Sequence, residues 1–116
     1  KLTKEQIEDA TNNLIVNEII TLPEDLQTIW SNVSPYSNDK APLEKIHNFI
    51  TKNLSPEDFT LVQGEWGYVY DTVNFCKSHN IIPIYATTER VVSESIKSDG
   101  TIEKISIFKH VMFKQY

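Results

Sequence analysis

With 116 residues, 40% of them apolar, and a net charge of −5, the chain has the length and composition of one domain around one core. No apolar run approaches the roughly 20 residues that cross a membrane, and no charged-then-apolar leader is expected at its start. The acidic balance leaves no broad basic face for duplex nucleic acid. The single cysteine, Cys76, excludes an internal disulfide and suits a reducing compartment, so the expected location is the cytoplasm, with no membrane partner.

In chain order, Thr3 and Gln6 form a Thr-x-x-Gln capping box that opens a first helix, with Ile7, Ala10 and Leu14 as its apolar stripe. Residues 15–21, Ile-Val-Asn-Glu-Ile-Ile-Thr, are rich in β-branched side chains and predict a strand. Pro23 suits the first turn of a second helix, whose buried face is Leu26, Ile29, Trp30 and Val33. Residues 34–42 read as a loop, and Leu43, Ile46, Phe49, Ile50 and Leu54 mark a third helix. A short apolar strand at 59–63, a helix at 67–79 and an apolar strand at 81–86 form a βαβ unit, so these two strands should be parallel. Residues 90–97 and 101–114 alternate around Asp99-Gly100, a hairpin turn signal. The fold class that follows is α/β, a Rossmann-like three-layer domain over 1–116 with a mainly parallel sheet and a C-terminal β-hairpin.

Open α/β sheets bind ligands beyond the carboxyl ends of their strands. Two such ends are expected. The first is Gln63-Gly64-Glu65-Trp66-Gly67, where glycines admit a ligand to the backbone and a helix N-terminus favours an anion. The spacing is Gly-x-x-Gly, which is neither the dinucleotide fingerprint nor a phosphate loop with its lysine. By itself it is equally a tight strand-to-helix turn. The second is Ala86-Thr87-Thr88-Glu89-Arg90, where two hydroxyls beside a guanidinium suit phosphate and ribose oxygens, or form a polar strand end with a surface ion pair. Trp66 is placed to stack on a base or to join the core. Lys109 and His110, on opposite faces of the last strand, approach a site from the hairpin or are solvated or satisfied there. His47 and His79 fall on polar helix positions and read as solvated. The three histidines and Cys76 lack zinc spacing, so no metal and no cofactor is expected.

Several segments resemble a small family of CRISPR-associated Csx-type proteins. These are the opening Lys1–Ala10, Leu22–Gln27, Trp30–Pro35, Val62–Glu65, Tyr85–Arg90 and Ile107–Phe113. They span nearly the whole chain in order. That family is a compact relative of the CRISPR-associated Rossmann fold (CARF) domains of type III systems. The resemblance implies binding of cyclic oligoadenylate and a ring-nuclease activity that linearises cyclic tetra-adenylate, switching the antiviral signal off. It also implies a short apolar strand and polar turn before the position of Lys1, whose ligand contacts would add to those named here.

The corresponding mechanism places a ribose 2′-OH in line with its own 3′-phosphate and needs orientation and charge stabilisation rather than a metal. Gln63, Gly64, Trp66 and Gly67 would hold phosphate and base. Thr87, Thr88 and Arg90 would bind ribose and phosphate oxygens. Glu65 would act as general base or orient the ribose. Lys109 or His110 would add charge. A four-fold cyclic ligand suits a homodimer that shares its two-fold axis. The rival readings are a binding-only sensor or sponge, and a structural adaptor whose hairpin, 89–116, takes a partner strand.

Overall fold

The structure is a computed structural model and describes residues 2–116. Its elements run α1 (Lys4–Asn13), α2 (Glu24–Ser31), α3 (Leu43–Asn53), β1 (Phe59–Leu61), α4 (Trp66–Ser78), β2 (Ile82–Ile96) and β3 (Ile102–Gln115). The three strands form one sheet in the order β1-β2-β3. The chain divides into two compact units. One comprises Glu18–Tyr85 with Lys114–Tyr116, and the other Leu2–Asn17 with Ala86–Phe113.

The first unit is built on the βαβ pattern. β1 and β2 pair in parallel with Phe59 opposite Ile82 and Leu61 opposite Ile84, and α4 is the crossover between them. The ladder continues where Val62 N–H donates to the Ile84 carbonyl at 2.9 Å. α3 packs against both α2 and α4. Leu26, Leu43, Ile46, Ile50, Tyr68, Cys76 and Ile81 make the core, so the apolar stripes read from 3.6-residue spacing do meet. Burying such side chains stabilises by roughly 1.5–3 kcal/mol each.

The second unit joins α1 to the hairpin of β2 and β3. The capping box forms as expected, with Thr3 and Gln6 exchanging hydrogen bonds at 3.2 and 3.0 Å. At the hairpin tip Gly100 has φ +86°, a conformation that costs glycine nothing. The Asp99 carboxylate there accepts from Thr101 N–H at 2.9 Å.

Two expectations are corrected. No strand forms at 15–21. α1 is instead capped at Leu14, and Ile15 follows at φ +56°, in the left-handed region, with Leu14 and Val16 N–H both turning back to the Ala10 carbonyl. The β-branched residues that follow have no partner strand, and β-propensity without a partner does not make a strand. Second, the strand expected to stop at 86 runs unbroken to Ile96. Thr87, Thr88, Val91 and Val92 suit extended backbone, and β3 offers them a partner; their polarity marks an exposed ribbon rather than a strand end. The expected parallel βαβ pair and C-terminal hairpin both form, and together they make a mixed sheet. The described residues therefore form a mixed α/β fold of four helices and three strands.

Candidate functional site

The turn from β1 into α4 is held from several sides. Trp30, on α2, donates its indole N–H to the Gln63 carbonyl at 2.8 Å. Gly64 lies flat against that indole; a Cβ there would stand 2.6 Å from Trp30 Nε1. The glycine is thus required by close approach. Sequence spacing put Trp30 in the core, and the signal that could have found this second role is chemical: an indole N–H in a packed setting needs an acceptor.

Glu65 is the N-cap of α4, its carboxylate accepting from Gly67 N–H and Tyr68 N–H at 3.0 Å each. These two bonds, Gly67 first, lower its pKa below the usual glutamate value. The exposed carboxylate therefore fills the helix N-terminus that an anion would otherwise occupy. A carboxylate held in this way is also a weaker proton acceptor than a free one. Lys40, from the 34–42 loop, comes to the same turn. It pairs with Asp71 at 3.1 Å, and its Cε would lie 3.6 Å from a Cβ at Gly67.

Trp66 follows, 89% exposed, with Tyr70 one turn on and 69% exposed. Residues four apart lie on one helix face, so two aromatic rings stand uncovered beside the capped turn. Trp66 is not a core residue.

The remaining predicted residues fall in the other unit, along the hairpin. Thr87 Oγ1 donates to the Met112 carbonyl at 3.1 Å and accepts from Met112 N–H at 3.3 Å, so this hydroxyl braces the two strands. Thr88 and Lys109 are exposed. Arg90 donates through Nε to Ser106 Oγ across the hairpin, and its own side is open to solvent. None of Thr87, Thr88 and Arg90 stands at a carboxyl end, because β2 continues beyond them.

His110 is 6% exposed at its side chain and pairs through Nε2 with Asp9 Oδ2 of α1 at 2.7 Å. Asp9 also accepts from Asn13 Nδ2 at 2.6 Å, and these two bonds, Asn13 first, hold its carboxyl below the usual aspartate range. His110 Nδ1 is buried without a hydrogen-bond partner. The His110 ring lies 4.8 Å from that of Phe113, which strict two-residue alternation would place on the other face.

His47 is not solvated. It stacks on Phe75 at 4.2 Å and meets the buried Thr72 hydroxyl at 3.0 Å, and burial pushes its pKa down. His79 packs against the same phenylalanine, the ring centroids 4.2 Å apart and the planes tilted by 32°. Among the described residues no three His, Cys, Asp or Glu side chains gather as a metal site would require, and no helix is long and apolar enough to cross a membrane.

Two shallow concavities occur in the first unit, neither at the predicted turn. One of about 460 Å³ is bounded by Glu57, Lys77, Asn80 and Tyr116, at the amino ends of β1 and β2. The other, about 440 Å³, lies between Ile29 and Lys45. The first carries the partly exposed Tyr116 ring, whereas the turn at 63–67 bears the far barer Trp66 and Tyr70.

The family profile described as Uncharacterized protein MJ1673 matches residues 1–114. The chain belongs to that family. A relative from Methanocaldococcus jannaschii, also described as Uncharacterized protein MJ1673, is 45% identical over 117 residues, covering 100% of this chain and 90% of its own length. No solved structure matches the chain. Family membership thus extends over the turn at 63–67 and the hairpin alike.

Proposed function

We propose that this protein binds a nucleotide ligand of the cyclic oligoadenylate class at the β1–α4 turn, within a Rossmann-like frame, and linearises it. The observation that carries the binding reading is Trp66: a tryptophan 89% exposed at the first residue of a helix that follows the carboxyl end of a parallel strand. Large aromatics are seldom left so bare, and an uncovered indole stacks on unpaired bases with little sequence preference. Tyr70 extends the platform by one turn, and Lys40 supplies a cation beside it. Glu65 fixes the turn on which both depend.

The cleavage reading rests on the resemblance to CARF ring nucleases. The 2′-oxygen of one ribose bonds to the adjacent phosphorus, the P–O5′ bond breaks, the 2′-hydroxyl proton leaves to a base and the 5′-oxygen takes up a proton. The products are a 2′,3′-cyclic phosphate and a 5′-hydroxyl end. In this reading Lys40, beside the turn, is the cation placed to meet phosphate charge.

The deciding experiment incubates the protein with cyclic tri-, tetra- and hexa-adenylate in the presence of EDTA and resolves products by chromatography and mass. Linear products ending in 2′,3′-cyclic phosphate are expected from the tetra-adenylate. Trp66→Ala should weaken binding about 10- to 100-fold, the range of one lost stacking contact. Intact ring that co-elutes with the protein would make it a sensor or sponge, and absence of binding would remove the nucleotide reading altogether.

A further inference from the structure

An exposed indole such as Trp66 stacks on any base. Adenine in a free mononucleotide offers it the same face as adenine in a cyclic oligoadenylate. Discrimination between the two has to come from groups beside the platform. The ligands differ there in charge per phosphate. An internal phosphodiester carries a single negative charge. A terminal phosphate monoester carries about 1.5–2 at neutral pH, its second pKa being about 6.

The charges at the turn are arranged around one cation. Lys40 is anchored through its backbone, its carbonyl accepting from Leu43 N–H at 3.0 Å where the chain enters α3. Its ammonium meets Asp71 Oδ2 at 3.1 Å, and its stem passes alongside Gly67. Glu65 stands on the other side of that glycine, its carboxylate accepting from Gly67 and Tyr68 N–H. Those two bonds are the main cause of its lowered pKa; the charges that also act on it are Lys40, which lowers it, and Asp71, which raises it. One ammonium is therefore shared between two carboxylates, and the three side chains carry a formal −1. Lys40 and Asp71 are 45% and 33% exposed, and an ion pair so open to water adds little to stability. Its effect falls on whatever approaches the turn.

We infer that Asp71 is a specificity-determining residue: paired with Lys40 beside the Trp66 platform, it leaves room for the single charge of a phosphodiester and repels a terminal phosphate. The site thereby selects internally linked adenylates over free adenine mononucleotides. This deepens the nucleotide reading and rests on it. The ammonium can give one hydrogen bond to a diester oxygen while it still touches Asp71. A second negative charge on the same phosphate meets only Asp71 and Glu65. Each unmatched like-charge contact at about 4 Å weakens binding roughly fivefold in water, and a built-in repulsive group is a general route to specificity.

AMP and its methyl phosphodiester share base and ribose and differ by one charge, so they isolate the effect. Both are titrated into the full chain in EDTA at pH 7, with cyclic tetra-adenylate alongside, and followed by nuclear magnetic resonance at the Trp66 indole. The wild-type protein should bind the methyl ester roughly fivefold more tightly than AMP. Asp71→Asn should close that gap, by tightening AMP more than the ester. A second readout needs no substitution. At pH 5 AMP is itself a monoanion, and its affinity for the wild-type protein should rise to that of the ester. Equal affinities at pH 7, or a gap that survives both Asp71→Asn and pH 5 while the ring still binds, would overturn this inference and leave the nucleotide reading standing. No shift of the indole with any of the three ligands would overturn both.

Discussion

Asp9 and His110 are 101 positions apart in sequence yet form a nearly enclosed pair within one unit. Because the folded state holds the Asp9 carboxyl below its ordinary value of 3.8, the pair contributes stability that is complete above that value. The contribution fades as pH falls through the lower, folded-state pKa. Asp9→Asn removes the charge-assisted bond to His110 and should cost about 1–3 kcal/mol at neutral pH. Thermal melts from pH 7 to pH 2 check this. The gap between wild type and variant should be widest at neutral pH and narrow in acid, and a gap independent of pH would mean that the carboxylate charge contributes nothing.

The elements show how a single contact governs a turn. Gly64 exists at its position because the Trp30 indole lies against it, and the indole in turn holds the Gln63 carbonyl. Gly64→Ala would drive a methyl group into that ring, displace it and break the bond. Overpacking of this kind costs about 1–3 kcal/mol. The melt should register that loss, and ligand affinity should fall with it because Trp66 is carried on the same turn; a variant as stable as wild type would show that the indole can yield freely. Much of this level was legible beforehand. The capping box, the helical stripes of α2 and α3, the parallel βαβ pairing and the turn at Asp99-Gly100 all follow from local chemistry. Residues 15–21 did not, because a run of β-branched residues carries no information about whether a partner strand exists. The unbroken β2 was missed for the converse reason: two threonines, a glutamate and an arginine look like a strand end in sequence, and only the presence of β3 makes them mid-strand. The candidate site was legible as a turn, but its supports were not. Trp30, Lys40 and Asp71 reach it through tertiary contacts that no local spacing encodes.

For the whole molecule, the two units differ in how their surfaces are finished. The first has a packed core of three helices against a parallel pair, with its histidines packed against Phe75. The second buries Ala10, His110 and Phe113 but leaves the outer ribbon apolar and charge-neutral. That contrast separates two kinds of mutational outcome. Substitutions at Leu43, Ile46 or Ile50 act on folding, whereas Ile105 and Ile107 are exposed and their replacement should leave the fold standing.

Cys76 is fully buried on α4, and burial pushes its thiol pKa up, which keeps it protonated and unreactive. The chain therefore carries its own silent reporter. A maleimide or disulfide reagent should leave the native protein untouched and label it only as the first unit opens, at a rate that tracks loss of helical signal. Labelling that outruns that loss would reveal a local opening of α4. The same silence lets one new cysteine placed on the hairpin tip take a fluorophore or spin label without first removing the natural one.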